Sequence, residues 1–207
     1  MTPPRISDFI DRWKSIQASE LATAQSFVNE LCAVLDLVPP THALDYMFER
    51  PITFRHGDGS SSAGRIDCYR RGHFVLEAKK LKIASLGMAR AAGAAVKGFD
   101  DAMLRARAQA EGYARALPAE EGRPPFLLVV DVGNVIELYA EFSRSGATYT
   151  PFPDPRSHRI KLADLARPEV QATLRAIWTD PTSLDPARAS ARVTRSEEHT
   201  SELQSRP

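Results

Sequence analysis

The six residues from Phe126 to Asp131 (FLLVVD) constrain the fold of this chain more than any other stretch. Five consecutive apolar side chains cannot alternate between a wet face and a dry one, so a strand made from them must be covered on both sides. The sequence supplies helices to cover it. Phe99, Met103, Ala106, Ala110, Tyr113, Ala114 and Leu117 recur at helical spacing over 99–117, and Asp100 and Asp101 fall in the first turn, where negative charge suits the helix dipole. Upstream, Ala24, Phe27, Val28, Leu31, Cys32 and Leu35 share one face of a helix predicted over 19–36, capped by Ser19 and ended by Pro39-Pro40. These elements predict an α/β sandwich around a mixed central sheet flanked by helices.

Between the two helices the pattern turns to strands. Residues 50–57 read as one strand, followed by a Gly/Ser-rich loop from His56 to Gly64. Arg65 to Arg71 and His73 to Lys80 then form a β-hairpin that meets at Gly72. The Ala/Gly-rich stretch 83–98 reads as an inserted loop or a weak helix, and Pro118 to Pro125 as a polar loop. Val135 to Phe142 alternates apolar residues with Glu137 and Glu141, which predicts a strand with one wet face. A short amphipathic piece spans Ile6 to Ile16, and short helices are predicted at 161–166 and 168–177. The element order is α-β-β-β-α-β-β.

Composition narrows the class. With 207 residues, 43% hydrophobic and 26% charged, the chain suits one globular domain with a short extension. It contains no apolar run of membrane-spanning length, and residues 1–10 lack the apolar core of a secretory signal. Cys32 and Cys68 are too few for a disulfide framework or a structural zinc site, so a reducing cytoplasm is expected. The tail from Arg195 to Ser205 (RSEEHTSELQS) matches an in-frame translation of a common short-read sequencing adapter. Residues 195–207 are therefore read as artefact, and the natural protein is expected to continue. Taking the tail's two basic and three acidic residues from 27 and 26 leaves a net charge of +2.

The chemistry is carried by the hairpin. Side chains alternate along a strand, so Glu77 and Lys79 share one face while Leu76 and Ala78 share the other. If a three-residue loop surrounds Gly72, Asp67 lies opposite Glu77 on that same face, and two carboxylates converge with one ammonium. Two carboxylates suit Mg²⁺, a hard cation that takes oxygen ligands and keeps several waters. Asp67 and Glu77 also sit among apolar neighbours, where charge is costly unless a metal or partner uses it.

This arrangement resembles the PD-(D/E)XK nuclease superfamily, which implies an α-β-β-β-α-β restriction-endonuclease-like core. Its acidic residue and following E-x-K map onto Asp67, Glu77 and Lys79, and its Q-x3-Y pair on the next helix onto Gln109 and Tyr113. The resemblance is closest to the N-terminal segment of single-chain type IIL restriction-and-modification enzymes. It rests on Gln25 to Leu35, Tyr69 to Phe74 entering Glu77 to Lys79, Gln109 to Ala114, and Pro125 to Asp131. It implies a Mg²⁺-dependent endonuclease (Mn²⁺ serving in its place) acting on double-stranded DNA. Asp67, Glu77 and the Ala78 carbonyl would hold the metal, Lys79 would position the water, and Gln109 with Tyr113 would support that face. It also implies an adenine-N6 methyltransferase using S-adenosylmethionine and a target-recognition domain downstream, since this chain has no N-P-P-Y motif and no Gly-rich cofactor loop. On that reading residues 1–18 are a helical lead-in, 19–150 the nuclease-like domain and 151–194 the start of a helical connector. Two other readings remain: a non-catalytic DNA-binding or scaffold domain, and a free-standing repair nuclease.

Further candidates are weighed against plainer roles. Glu30 is either an acid near the metal or part of a solvated face, and His73 is either a neighbour of Glu77 or an exposed turn residue. His42, His56 and His158 lack metal-ligand spacing, and Cys68 is expected in the core. Arg65, Arg70, Arg71, Lys79, Lys80 and Lys82 are expected to form a basic cluster that holds phosphates.

Overall fold

The computed structural model describes residues 5–15, 20–41, 43, 45–81 and 92–188. The Ser19 cap, His42, Lys82, most of the Ala/Gly-rich stretch and the tail from 195 lie outside the described residues. The elements are α1 (Ile6–Ser15), α2 (Glu20–Val34), β1 (Tyr46–Arg55), β2 (Ser61–Arg70), β3 (Phe74–Lys79), α3 (Ala92–Ala116), β4 (Phe126–Asp131), β5 (Val135–Ala140), β6 (Thr150–Pro151), β7 (Arg159–Lys161) and α4 (Pro168–Thr179). The strands form one sheet in the order β1-β2-β3-β4-β5-β6, with β7 also paired to β5. Strands β3 and β4 are parallel and the other pairs antiparallel. A parallel neighbour needs a crossover, and α3 provides it. This is the α/β mixed sheet between helices that the sequence predicts.

The sheet divides two apolar cores. On one face, Phe27, Val28 and Leu31 of α2, with Leu35 just past its end, pack with Phe9, Ile10 and Trp13 of α1 and with Leu174, Ile177 and Trp178 of α4. On the other, Met103, Ala106, Ala110, Tyr113 and Ala114 of α3 cover Tyr69, Val75, Leu127, Val129 and Tyr139. All six residues of β4 are buried, as its unbroken apolar sequence requires. The stretch from 151 to 188, expected to open a helical connector, is packed into the first core: Trp178 lies 4.4 Å from the Phe74 ring and donates its Nε1–H to Tyr46 at 2.8 Å.

Three expectations are corrected. Residues 92–98, for which the sequence leaves both a loop and a weak helix open, are helical and continuous with the stripe from Phe99, so α3 begins at Ala92 and not at 99. The first strand begins at Tyr46 and ends at Arg55, displaced from the 50–57 read from sequence. Strand β5 has no wet face: all its residues are buried, Glu137 at 1% exposure among them. The alternation was real, but α3 covers the face that carries the acid, and Arg159 of the neighbouring β7 pairs with it.

Strict alternation also fails within the β1–β2 arm. Tyr46, Phe48 and Cys68 belong to the core under α2, whereas Ile52, Phe54 and Ile66 belong to the core under α3. Both strands change face between the register pairs Phe48↔Cys68 and Arg50↔Ile66. Glu49 sits at that point with φ 55, a left-handed backbone rare for a side chain of its size. The arm thus bends over α3, where a Cβ on Gly64 would stand 2.6 Å from Phe54 and 2.8 Å from Tyr113. Only glycine admits so close an approach.

Four buried phenols give the fold an alkaline limit. Burial is the largest cause raising Tyr46, Tyr69, Tyr139 and Tyr149 above the ordinary tyrosine value, and carboxylate neighbours add to it at Tyr69 and Tyr139. A raised folded-state pKa contributes stability that is complete below the unfolded value of about 10 and is lost as pH rises beyond it. We expect cooperative unfolding to begin above about pH 10, with tyrosinate absorbance and circular dichroism changing together. Tyrosine titration with secondary structure intact would contradict this.

Candidate functional site

The hairpin that carries the motif closes through a three-residue loop, with Arg70 opposite Phe74 and Cys68 opposite Leu76. Gly72 takes φ +71 in that loop. The same register sets Asp67 level with Glu77, as the spacing predicts. Beyond Cys68 the ladder gives way to a side chain: the Asp67 Oδ2 accepts the Ala78 backbone N–H at 2.7 Å. Asp67 therefore lies where β1 and β2 bend away from β3, and it ties the strand end that carries Glu77 and Lys79.

Glu77 is 1% exposed, and Lys79 donates to its Oε1 at 2.8 Å from a side chain that remains 30% exposed. A carboxylate inside a sheet and an ammonium at its edge are set by position along β3, because β3 ends at Lys79 while Glu77 is still sandwiched beneath α3. Ala78 points into the opposite core with Leu76 and offers the site only its main chain. The Lys79 carbonyl accepts from Val132 N–H at 2.8 Å, which fastens the end of β3 to that of β4.

Gln109 and Tyr113 meet each other, Gln109 Nε2 donating to the Tyr113 hydroxyl at 2.9 Å. Gln109 is exposed, whereas Tyr113 is 7% exposed and stacks on Phe54 at 5.7 Å. The structure thus joins Asp67 to the Ala78 amide and Glu77 to Lys79, and it places the Gln109–Tyr113 pair against the bent arm.

For His73 the plainer role holds, Glu30 does not reach the site, and the expected basic cluster does not form. His73 donates from Nδ1 to the Arg71 carbonyl at 2.8 Å within the loop, at the far end of β3 from Lys79. Glu30 accepts from Trp13 Nε1 at 2.9 Å and pairs with Arg12 at 3.2 Å, so it joins α2 to α1. The basic cluster disperses: Arg65 pairs with Glu49, Arg70 lies over the Tyr46 ring, Arg71 donates to the Glu120 carbonyl, and Lys80 donates to the Val132 carbonyl. Neighbours in sequence along a bent strand point in different directions, so a local count of charge did not predict a patch. Cys68 is buried, as expected, and burial raises its thiol well above the ordinary value.

Two acids were missed. Asp131 is 1% exposed, stands opposite Lys79 in the parallel register, and accepts from Leu81 N–H at 2.9 Å and Asn134 Nδ2 at 2.8 Å. Its signal was available: an acid closing a fully apolar strand at the same end as the E-x-K. Glu137 aligns with Val129, which aligns with Glu77, so all three share the α3 face. It accepts from Tyr139 at 2.8 Å and Arg159 at 2.6 Å, and Arg159 also reaches Asp100 at 2.9 Å. The carboxylates at Glu137 and Asp100 raise the Arg159 pKa against the opposing effect of burial. This network fastens β5, β7 and the first half of α3 together.

The donor set fits a hydrated hard cation. It consists of oxygen only, two carboxylates and a main-chain carbonyl, with an ammonium beside them. Among the described residues no three His, Cys, Asp or Glu side chains gather as a metal cluster. No helix among them is long and apolar enough to cross a membrane.

The family model described as "MmeI, N-terminal domain" covers residues 1–196. No curated protein matches, and no solved structure matches. The chain belongs to the MmeI N-terminal domain family, in keeping with its resemblance to the N-terminal segment of type IIL restriction enzymes.

Proposed function

We propose that this chain is a Mg²⁺-dependent DNA endonuclease domain of a restriction enzyme, whose parent also carries a methyltransferase and a target-recognition domain downstream. The observation that carries the reading is Glu77: a buried carboxylate with the Lys79 ammonium at 2.8 Å, beside an aspartate that holds the Ala78 amide at 2.7 Å. A buried carboxylate is costly to the fold, and this one has its ammonium partner at the open end of the strand, 30% exposed, which favours a role in chemistry.

Asp67, Glu77 and the Ala78 carbonyl would hold the cation. Mg²⁺, when bound, supplies Lewis-acid polarisation of a phosphoryl oxygen. Lys79, part in solvent and part against Glu77, orients the attacking water and offsets charge that develops on the phosphate. Asp67 holds the strand end in register through its bond to the Ala78 amide. Gln109 keeps the Tyr113 hydroxyl oriented, and Tyr113 supports the arm whose base carries Asp67.

The test is cleavage of duplex DNA by the full chain in Mg²⁺, with a chelator control and the Asp67→Asn variant. An asparagine oxygen still accepts the Ala78 N–H, so the fold is kept while a metal charge is lost. We expect nicking that depends on the cation and falls by about 100-fold in Asp67→Asn. A wild-type chain that leaves DNA intact in both Mg²⁺ and Mn²⁺ would sink the reading, and the scaffold role would replace it.

A further inference from the structure

A groove of about 890 Å³ runs between the β1 half of the bent arm and the last turn of α3. Four of its lining residues are arginines, Arg50, Arg55, Arg115 and Arg123, against one carboxylate, Glu120. Arg50 is neutralised by Glu121, and the other three against Glu120 still concentrate positive charge in a chain whose formal charge is only +1. It is separate from the basic cluster expected around the hairpin, and the arm's bend at Glu49 brings it together from segments far apart in sequence.

The arginines divide into a fixed floor and an available rim. Arg50 is 8% exposed, lies over the Tyr69 ring at 4.5 Å and pairs with Glu121 at 2.5 Å, while the Tyr69 hydroxyl donates to the same carboxylate at 2.6 Å. That buried set holds the groove's shape. Arg123 is anchored by its bond to the Leu117 carbonyl at 2.6 Å. Arg115 keeps half its side chain in solvent, at 52%, with a loose 3.6 Å pair to Glu111, and Arg55 is exposed near the end of β1. Guanidinium groups bind phosphate oxygens through paired N–H donors and stack on flat rings, which point charges on lysine do less well.

We infer that this groove binds the sugar-phosphate backbone of the DNA substrate. The inference rests on the nuclease reading and deepens it. Its apolar wall is continuous with the candidate catalytic face, because Phe54 lines the groove and stacks on Tyr113, which Gln109 holds. Phosphates seated on Arg55, Arg115 and Arg123 orient the duplex along the arm that carries Asp67 at its base. Backbone binding of this kind supplies affinity and register without sequence preference, which the parent's recognition domain would add.

The test is duplex-DNA binding by fluorescence anisotropy across a salt series, with the metal chelated so that no cutting occurs. The double variant Arg55→Glu/Arg115→Glu changes two exposed side chains and keeps the floor. We expect its affinity at low salt to fall at least about 10-fold and its salt slope to drop by about 2, one for each phosphate no longer neutralised. Arg55→Lys/Arg115→Lys should retain the slope and lose part of the affinity. A Glu-substituted chain that binds with wild-type affinity and slope would overturn the inference and leave the groove to an acidic partner protein. Failure of the wild-type chain to bind duplex DNA at low salt would overturn it as well. Because no cutting is measured, the groove can stand even if the nuclease reading falls.

Discussion

Replacing Glu77 by Gln should abolish most DNA cleavage, by about 100- to 1000-fold in rate, while leaving the melting temperature at or above that of the wild type. The two effects separate because the charge at Glu77 is costly to the fold. Glu77 is 1% exposed, whereas its partner Lys79 is 30% exposed and can be hydrated when the carboxylate is gone. Glutamine therefore removes a buried charge and abandons none. The mirror variant behaves differently: Lys79→Met takes the ammonium away from a carboxylate that stays buried, and should lower stability by several kcal/mol as well as activity. Thermal denaturation beside a cleavage assay distinguishes the two. If Glu77→Gln cuts at the wild-type rate, the site assignment is wrong. If it melts far below wild type while cutting slowly, Glu77 is structural.

Trp178→Ala should destabilise the chain by about 3–5 kcal/mol, a large part of the roughly 5–15 kcal/mol that holds a domain of this kind together. Trp178 is fully buried, packs on Phe74 at 4.4 Å and donates to the Tyr46 hydroxyl at 2.8 Å. The substitution thus opens a cavity and removes the donor to a buried phenol. The same reasoning predicts that a chain ending at residue 150 does not fold, since it lacks α4 and β7, exposes the face of α2 that α4 covers and leaves the edge of β5 that β7 pairs with open. Urea denaturation with an unchanged m-value would check the point variant. A cooperative transition of wild-type midpoint from the truncated chain would show that 151–188 is dispensable, and that the core assignment is mistaken.

The acidic motif was legible in the sequence because strand chemistry is local. Period-two alternation put Glu77 and Lys79 on one face, and a three-residue loop at Gly72 fixed the register that sets Asp67 level with Glu77. The Gln109–Tyr113 bond followed from helical spacing in the same way. The unbroken run Phe126 to Asp131 required cover on both faces, and that requirement alone implied the two helical layers.

What the sequence could not decide was anything that depended on the arm changing face. The left-handed turn at Glu49 sends β1 and β2 over α3, which breaks the alternation, disperses the expected basic cluster and assembles the arginine groove instead. Burial of Glu137 was hidden for a related reason, since its cover comes from Arg159 and α3, far away in sequence. By itself, then, the sequence determined the strands, their local register and the acids of the motif, because these depend on residues close together along the chain. Which face those strands present, and which charges come to lie side by side, only the tertiary structure decided, because packing brings together segments that no short-range pattern connects.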